Sequence, residues 1–356
     1  MKFNLSVKSL KISADLVRLI GEIDEFKGAW KAYGNLAPER LTALKRVATI
    51  ESVGSSNRIE GNTLTDKEVA NLLDNISVQG LCSRDEQEVA GYATVMKLIF
   101  DNWEEMPITE NVIKQLHKEM LDFCDFAIHH RGEYKKVENS VAAFEAGQMV
   151  GIVFRTAPPF ETPELMKELV EWYQNETERR QIPQLILIGI FLVTFLAIHP
   201  FEDGNGRLSR VLTTLMMLRA GYGFLPYCSL ESVIEESKQG YYAALRLTQK
   251  TLDSDSPDWE PWLKYFLKSL TWQKNRLEKK IEKEHLLRTV PQLSLQILEF
   301  ARDRQTFRMA DVEAFTKASR STLRLHLLRL VKDEYLIQMG TGKGTFYSLG
   351  TAMMIE

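Results

Sequence analysis

The chain of 356 residues has few cysteines and no long apolar run, and each shortage excludes a class of protein. Its three cysteines, Cys82, Cys124 and Cys228, form no CxxC pair and leave at least one unpaired, which favours a reducing compartment over a disulfide scaffold. The apolar run 185–198 is shorter than the roughly 20 residues that span a bilayer, and residues 1–13 contain no signal-type apolar segment. We therefore expect a cytoplasmic protein without a membrane partner, with a core helix at 185–198.

The sequence also lacks an excess of either charge. It has 45 lysine and arginine residues against 48 aspartate and glutamate residues, and a net charge of -3. That balance is typical neither of nucleic-acid-binding chains nor of strongly acidic ones. With 44% hydrophobic residues the chain can bury a large core, and its length favours two to three domains. Composition therefore predicts a globular protein without identifying its partner.

Apolar residues recur at intervals of three and four through most of the first three hundred positions, which predicts a mainly α-helical fold. The clearest segments are 41–59, 89–100, 112–123, 165–173, 185–198 and 208–218. The segment 134–156 departs from this pattern, because β-branched and aromatic residues lie on both sides of residues 145–148. We predict a β-hairpin there, called the flap below, within a helical protein.

The segment 288–356 has the pattern of three helices followed by a short hairpin, which predicts a winged helix-turn-helix domain. Its residues 319–326 resemble the recognition helix of a winged-helix regulator, in which Arg320, Arg324 and Lys343 would contact phosphates or base edges of DNA. The segment has a net charge of only +3, and dimerisation or protein docking is the alternative role. DNA is therefore one candidate partner.

These patterns predict four parts of the chain. An N-terminal helical region would occupy 1–110, a core with the flap 111–270, a linker helix 271–287, and the winged-helix domain 288–356. In the predicted linker, charged residues surround one apolar stripe, which is typical of a solvated helix; a nucleic-acid-binding arm is the alternative.

The segment 199–207, with the sequence HPFEDGNGR, concentrates polar residues directly after the apolar run. Gly204 and Gly206 indicate a turn, and the apolar pattern that follows indicates the start of a new helix. A helix N-terminus binds anions, because its first N–H groups are unpaired and its dipole favours negative charge. Arg207 and Arg210 are three residues apart, so both reach the same side of this turn. The pattern predicts a site for a di- or triphosphate.

Two further residues of this segment suit a reaction at a phosphate. Asp203 supplies a hard oxygen ligand of the kind that magnesium takes together with phosphate oxygens. His199 supplies an imidazole that accepts a proton near neutral pH. The alternative is that His199 only caps the apolar helix and the glycines only turn the chain.

Residues 199–210, HPFEDGNGRLSR, match the pattern HxFx[DE]GNGRxxR at every specified position, and the chain therefore resembles the Fic (Fido) family. The resemblance implies transfer of AMP from ATP to a tyrosine, threonine or serine hydroxyl of a target protein, or of the protein itself, with His199 as the base and Asp203 on Mg²⁺. It also implies that ATP is bound by Asp203, Gly204, Asn205, Gly206, Arg207, Leu208, Ser209 and Arg210. UTP or another nucleotide is an open alternative.

The resemblance extends to two other regions. The end of the flap, formed by Val153, Phe154, Arg155 and Thr156, would dock the target's modified segment by strand addition. Tyr241 and Tyr242 would lie near the adenine, although tyrosine pairs are also common in protein cores. Gln249 stands where some relatives would have an asparagine, so the sequence departs from the family there.

Residues 56–61, with the sequence SNRIEG, resemble the family's inhibitory motif [ST]xxxE[GN]. A glutamate in the last turn of a helix faces the negative end of its dipole, so a cation should compensate for it. The resemblance implies that Glu60 pairs with Arg210 and blocks the γ-phosphate, while Ser56 supports the helix. The alternative is a surface glutamate before Gly61, which ends the helix.

We therefore predict an ATP-dependent protein adenylyltransferase that is inhibited by its own N-terminal helix, with a homodimer as one possible assembly. A DNA-binding regulator that uses the core only to sense nucleotide is the first alternative; the intact His199 favours the enzyme, because a sensor does not need a base. The second alternative is an enzyme that removes AMP from a modified protein, in which Glu60 would position water.

Overall fold

The computed structural model describes residues 3–5, 7, 10–30, 38–75, 80–145, 148–288, 291–302 and 304–350. These residues form two compact units, Met1–Leu277 and Glu278–Glu356. The division falls inside one long helix, whereas the sequence predicted a boundary at 287/288. The four-part division predicted from the sequence remains a prediction.

The first unit is built from helices. They are α1 (Ala14–Trp30), α2 (Pro38–Ile59), α3 (Asp66–Asn75), α4 (Arg84–Asn102), α5 (Glu110–Met120), α6 (Thr162–Arg179), α7 (Gln184–Ile198), α8 (Asn205–Arg219), α9 (Leu230–Glu236), α10 (Lys238–Gln249) and the start of α11 (Glu260–Arg288). The mainly helical fold predicted from periodicity is confirmed. The predicted helical segment 112–123 ends early, at Met120, where the chain turns through Leu121.

Helix α7 is the centre of the first unit, because each of its residues from 185 to 198 is buried. Gly189 permits a close contact with α11: a Cβ atom there would lie 2.6 Å from Leu263 Cδ2. The indole Nε1–H of Trp262 donates to the Gly189 carbonyl at 2.7 Å. The predicted core helix is confirmed, and within the described part of the chain no helix is long and apolar enough to cross a membrane. The C-terminal end of α7 leads directly into His199.

The predicted flap is an antiparallel hairpin of β1 (Ser140–Glu145) and β2 (Gln148–Arg155). Ser140 pairs with Arg155 at its base and Glu145 pairs with Gln148 near its tip. The hairpin starts six positions later than the predicted 134–156, because residues 134–139 lie against the end of α7 instead: Lys135 N–H donates to the Pro200 carbonyl at 2.8 Å. Residues 146 and 147 lie outside the described part.

The second unit contains the end of α11, then α12 (Gln292–Arg302), α13 (Met309–Thr316) and α14 (Arg320–Lys332), followed by β3 (Leu336–Met339) and β4 (Phe346–Leu349). The two strands pair antiparallel, and Phe307 forms an isolated bridge with Tyr347. Apolar residues of all three helices and both strands form its core. Three helices and a hairpin match the predicted order of elements; the winged-helix assignment itself remains a prediction.

Candidate functional site

The loop between α7 and α8, residues 199–204, starts and ends in left-handed backbone conformations. His199 has φ of 52° and Gly204 has φ of 76°. Glycine is favoured at 204, because side chains rarely adopt a left-handed φ of 76°. A non-glycine residue with positive φ is uncommon, and its surroundings must hold it there. Neighbouring residues therefore impose the backbone conformation of the α7–α8 loop.

The geometry of His199 defines which of its nitrogens can act as a base. Its Nδ1 lies 3.3 Å from the carbonyl oxygen of Leu196. A carbonyl oxygen only accepts hydrogen bonds, so Nδ1 carries the proton and Nε2 presents a lone pair. Burial lowers the pKa of His199 to about 4; the Leu196 carbonyl opposes the shift and the charge of Lys135 adds to it. The imidazole is therefore neutral at pH 7.

Asn205, the first residue of α8, holds the loop rather than a ligand with its side chain. Its Oδ1 accepts from Phe201 N–H at 3.0 Å and its Nδ2 donates to the Phe201 carbonyl at 2.8 Å. Both residues are buried. A phosphate-binding role, as implied by the resemblance, would therefore fall to the backbone N–H of Asn205.

The N-terminus of α8 has the properties of an anion site. Its first helical hydrogen bond runs from Leu208 N–H to the Gly204 carbonyl at 2.8 Å, so the N–H groups of Asn205, Gly206 and Arg207 precede the helical ladder. The side chain of Leu208 is fully buried, and Ser209 Oγ donates to the Gly206 carbonyl at 2.7 Å. The side chains of these two residues of the predicted ATP site therefore contact the protein and stabilise the turn.

Arg207 is a buried arginine with spare hydrogen-bonding capacity. It is 2% exposed, and its Nη2 donates to Asp203 Oδ2 at 3.0 Å. Its Nη1 lies 3.4 Å from Glu88 Oε2, a charge contact without hydrogen-bond geometry, and its Nε and Nη1 have no hydrogen-bond partner among the described residues. Buried donors without partners are costly, and an anionic ligand would satisfy them.

Asp203 faces the same pocket and is the candidate metal ligand. Its carboxylate contacts Arg207 and, at 3.7 Å, Arg84 Nη2 from the start of α4. Among the described residues, no group of three or more histidine, cysteine or acidic side chains could hold a metal ion. A single, partly exposed carboxylate suits magnesium only in the form in which phosphate oxygens and water complete the coordination.

Arg210, one turn further along α8, is 3% exposed and bound to the end of α2. Its Nε donates to Ser56 Oγ at 2.8 Å, and its Nη2 donates to the Ser56 carbonyl at 2.9 Å and to Glu60 Oε1 at 2.8 Å. Burial opposes the charged form, but the neighbouring Glu60 more than compensates and raises the pKa of Arg210. The carboxylate of Glu60 lies directly over Gly206, where a Cβ atom would overlap its Oε1.

The end of α2 turns sharply enough to place Glu60 there. Asn62 N–H donates to the Asn57 carbonyl and Gly61 N–H to the Arg58 carbonyl, both at 3.1 Å, and Gly61 has φ of 103°. This pattern is a Schellman motif with glycine in its left-handed position. Glu60 is therefore the capping residue after the helix, one step beyond the last turn in which the sequence placed it.

The neighbouring Arg58 ties the same turn to two other helices. Its Nε and Nη2 donate to the two carboxylate oxygens of Glu235 on α9 at 2.8 and 3.1 Å, and its Nη1 lies 2.9 Å from Asp66 Oδ1 on α3. It also donates to the Leu64 carbonyl at 3.0 Å. We call Arg58, Asp66 and Glu235 the α2 clamp.

His199, Asp203, Arg207 and Glu60 line one cavity of about 170 Å³. Its lining consists of the α7–α8 loop, the start of α8, the end of α2 and one face of α10: Glu60, Leu196, His199, Glu202, Asp203, Gly204, Asn205, Gly206, Arg207, Tyr241, Tyr242, Leu245, Arg246 and Gln249. The structure thus brings together segments that are up to 189 positions apart in the sequence, from Glu60 to Gln249.

The tyrosine pair has two different environments. Tyr241 is buried, and its ring contacts the rings of Trp262 and Tyr265 edge-on. Tyr242 is half-buried, and the two tyrosine rings meet edge-to-face with centroids 5.1 Å apart. Burial raises the pKa of Tyr241 to about 12 and that of Tyr242 further still, so both hydroxyls stay protonated. Tyr241 serves the core as well as the pocket, and Gln249 is buried beside them.

The residues predicted to dock a target are only partly described. Val153, Phe154 and Arg155 lie on strand β2, and their side chains are outside the described part of the structure. The Thr156 hydroxyl is directed inward, to Asn139 Oδ1 at 2.7 Å and to Lys135 Nζ at 3.0 Å. Thr156 therefore ties the base of the flap to the loop region.

Sequence reasoning missed five residues of this region: Arg58, Arg84, Glu88, His117 and Lys135. His117 had a signal, because it lies on the apolar face of α5 together with Ile113 and Met120. Its Nδ1 accepts from Gly132 N–H at 2.9 Å, so Nε2 carries the proton and donates to the Asp203 carbonyl at 3.0 Å. The other four are charged residues without any pattern in the sequence that would distinguish them from surface residues.

The fold and the site define a class of protein. It is a helical domain in which a helix N-terminus suited to an anion lies beside a neutral histidine. Residues 107–217 match the model of the Fic/DOC family. This match includes residues 199–210 and agrees with the resemblance inferred from them. The inhibitory role of residues 56–61 and the winged helix remain predictions.

Proteins of known name are similar to this chain in sequence. The chain is 27% identical over 280 residues to the protein adenylyltransferase Fic of Drosophila mojavensis, covering 70% of this chain and 52% of that protein. It is 27% identical to that of Drosophila virilis, over 70% and 54%. The chain thus spans about half the length of the curated relatives it matches.

Two solved structures are similar in fold. A Fic family protein from Desulfovibrio desulfuricans G20 has a TM-score of 0.63 and 25% identity, with 96% of this chain and 98% of that chain covered. A Fic domain containing signaling protein from Bacteroides thetaiotaomicron VPI-5482 has a TM-score of 0.58 and 26% identity, covering 72% of this chain and 97% of that chain.

Proposed function

We propose that the protein is an adenylyltransferase that moves AMP from ATP to a hydroxyl group of a target protein or of itself. The observation that carries the proposal is the neutral His199, with Nε2 available, in one pocket with the N-terminus of α8 and the unsatisfied donors of Arg207. The names of the relatives support the same reaction class.

His199 acts as the general base. Its Nε2 takes the proton of the target hydroxyl, the hydroxyl oxygen forms a bond to the α-phosphorus, and the bond from that phosphorus to the bridging oxygen breaks. Pyrophosphate leaves with the electron pair of that bond. The pKa of about 4 keeps the base unprotonated and ready at neutral pH.

The phosphates are held by the turn at the start of α8. The N–H groups of residues 205–207 and the free donors of Arg207 bind the phosphate oxygens, and Arg210 binds the terminal phosphate once Glu60 leaves it. Asp203 would hold Mg²⁺ together with phosphate oxygens, and the ion would neutralise charge on the leaving pyrophosphate.

Glu60 inhibits this reaction in the arrangement described. Its carboxylate occupies Arg210 and lies over Gly206, within the anion site itself. A terminal phosphate would compete with it for Arg210 and would meet negative charge at close range. The inhibition is proposed as a property of the chain itself, because Glu60 and Arg210 belong to the same polypeptide.

The reaction is tested with the Glu60→Gly variant, ATP and Mg²⁺. We expect label from [α-³²P]ATP to become covalently attached to protein, and label from [γ-³²P]ATP not to be. Intact-mass measurement should then find the addition of one or more AMP groups. Transfer of γ-label would mean a kinase, and no transfer of either label to the protein itself or to lysate proteins would refute the proposal.

The alternative reactions are separated by two further incubations. Protein that already carries AMP is incubated with wild-type enzyme without ATP, and loss of AMP that depends on Glu60 would favour the removal reaction. ATP binding without any covalent change would favour the nucleotide sensor. UTP in place of ATP tests the nucleotide preference.

The second unit supports a separate proposal, a module that binds a macromolecular partner. Helix α14 exposes Arg324 together with Leu325 and Leu328, while Arg320 is paired with Glu313 at 2.8 Å. A winged-helix assignment with DNA as partner remains our expectation from the sequence. It is tested with the full chain and duplex DNA at low and high salt: a salt-dependent mobility shift supports it, and no shift at low salt refutes it.

A further inference from the structure

A buried lysine outside the 199–210 motif lies directly behind the proposed base. Lys135 is 2% exposed, and its Nζ donates to the Ile198 carbonyl at 3.0 Å, Asn139 Oδ1 at 2.8 Å and Thr156 Oγ1 at 3.0 Å. Each of its three N–H groups therefore has one neutral oxygen acceptor. A fully buried lysine is rare in proteins, because removing its charge from water is costly.

Lys135 contacts the residue before His199 and the residue after it. Its Nζ binds the carbonyl of residue 198, and its backbone N–H donates to the Pro200 carbonyl at 2.8 Å. The Ile198 carbonyl lies at the C-terminal end of α7, where the helix dipole favours a positive charge. One residue thus binds both neighbours of His199, whose left-handed backbone conformation needs such support.

The same ammonium group connects the base to the flap. Asn139 Nδ2 donates to the Phe201 carbonyl at 2.8 Å, and Thr156 follows directly after β2. Lys135 lies between these two residues, so the start of the hairpin, its end and the α7–α8 loop share one polar cluster. A movement of the flap would therefore change the position of His199.

We propose that Lys135 is a positioning residue for the proposed adenylyl transfer: its ammonium group holds residues 198–200 so that His199 Nε2 faces the pocket, and it couples this placement to the base of the flap. The inference rests on the proposed function of His199. Its geometric part, the placement and environment of the imidazole, is independent of which reaction the pocket performs.

A kinetic test uses the Glu60→Gly background. We expect Lys135→Met to lower kcat for AMP transfer about tenfold to a hundredfold, since a small misplacement of a reacting group costs up to about that much. The dissociation constant for ATP should change less than about twofold, because Lys135 lies behind the base and outside the anion site. Lys135→Arg, which keeps the charge and the donors, should recover most of the loss.

The neighbouring Lys136 provides the matched control, because it is exposed and adjacent in sequence. Lys136→Met should leave kcat unchanged. If Lys135→Met lost ATP affinity and kcat together, or if kcat did not change, the positioning role would be wrong. If that variant did not fold, Lys135→Gln would replace it, and equal kcat for the Gln and Arg variants would be the contradicting result.

A second measurement needs no catalysis. Among the charged groups that affect the His199 imidazole most, Lys135 disfavours the protonated ring, whereas Glu60 and Asp203 favour it; Glu202, Arg207 and Arg246 line the same cavity. NMR titration of isotope-labelled histidine, assigned by comparison with His199→Ala, should therefore find a higher pKa for His199 in Lys135→Met than in Lys136→Met. An unchanged pKa of His199 would contradict the positioning role of Lys135, even if the enzyme were active. A shifted pKa in a protein without AMP transfer would support the positioning role and contradict the proposed function.

Discussion

The α7–α8 loop and the end of α2 are two helix termini at one pocket, and they are held in different ways. The loop is bound by buried groups: Lys135 at residues 198 and 200, His117 at the Asp203 carbonyl, and Asn205 at Phe201. The end of α2 is bound by two hydrogen bonds from the buried Arg210 to Ser56 and by ion pairs whose carboxylates are partly exposed, with Glu60 34% and Glu235 30% exposed.

This difference indicates which of the two parts can move. Water and salt weaken ion pairs at the surface, whereas a fully bonded buried network can change only by breaking several contacts together. We therefore expect the loop to stay in place while the partly exposed carboxylate of Glu60 releases Arg210. A fixed base beside a removable inhibitor is the arrangement that our proposal requires.

The largest effect is expected from removing the base itself. In the Glu60→Gly background, His199→Ala should lower AMP transfer by at least about 100-fold, since general bases contribute about 10²–10⁴ in rate. The measurement is incorporation of label from [α-³²P]ATP. ATP affinity, measured by calorimetry, should be unchanged, and a residual rate within a few fold of the parent would contradict the role of His199.

The next largest effect tests the end of α2. Glu60→Gly should raise the initial rate of AMP transfer about tenfold or more over wild type, because Arg210 is then free for the terminal phosphate. The isosteric Glu60→Gln serves as the control that separates charge from shape. If neither variant were faster than wild type under the same conditions, the proposed inhibition would be wrong.

A smaller effect is expected from the α2 clamp. Arg58→Ala removes the contacts to Glu235 and Asp66 and should raise AMP transfer about threefold, less than Glu60→Gly, because exposed pairs contribute modestly. Arg46→Ala is the matched control. Arg46 lies on the same helix, 12 positions before Arg58, and pairs with Asp74 on α3. Equal rates in both variants would show that the clamp does not hold Glu60 in place.

The smallest effect concerns pH and the buried loop. With a pKa of about 4, His199 stays unprotonated as the pH falls from 7 to about 5.5, whereas a histidine at its ordinary value of 6.5 would lose most of its base form. We expect the kcat of Glu60→Gly to fall less than about twofold over this range. A tenfold fall would contradict the lowered pKa.

Periodicity and one motif were sufficient to predict much of this molecule. The helix at 185–198 was predicted because its apolar residues cover every face, which only a fully buried helix tolerates. The turn at Gly204 was predicted because glycine followed by a helical pattern indicates a helix start, and Gly204 indeed has positive φ.

Other features were beyond the sequence because they depend on contacts between distant segments. The side chain of Asn205 binds the loop backbone, Leu208 is fully buried, and Thr156 points inward, whereas the resemblance implies ligand or target binding for all three. A residue type and its position in a motif predict what a side chain can do, but the direction it faces follows from packing.

The sequence by itself determined the helical class, the buried helix that carries His199, the glycine turn before α8 and the residue types of the motif 199–210. Those properties follow from local periodicity and from chemistry within a few residues. Only the tertiary structure decided that a lysine with no distinguishing pattern lies behind the base, and that Glu60 covers Gly206. Both depend on segments many positions apart, whose approach is set by the packing of the whole core.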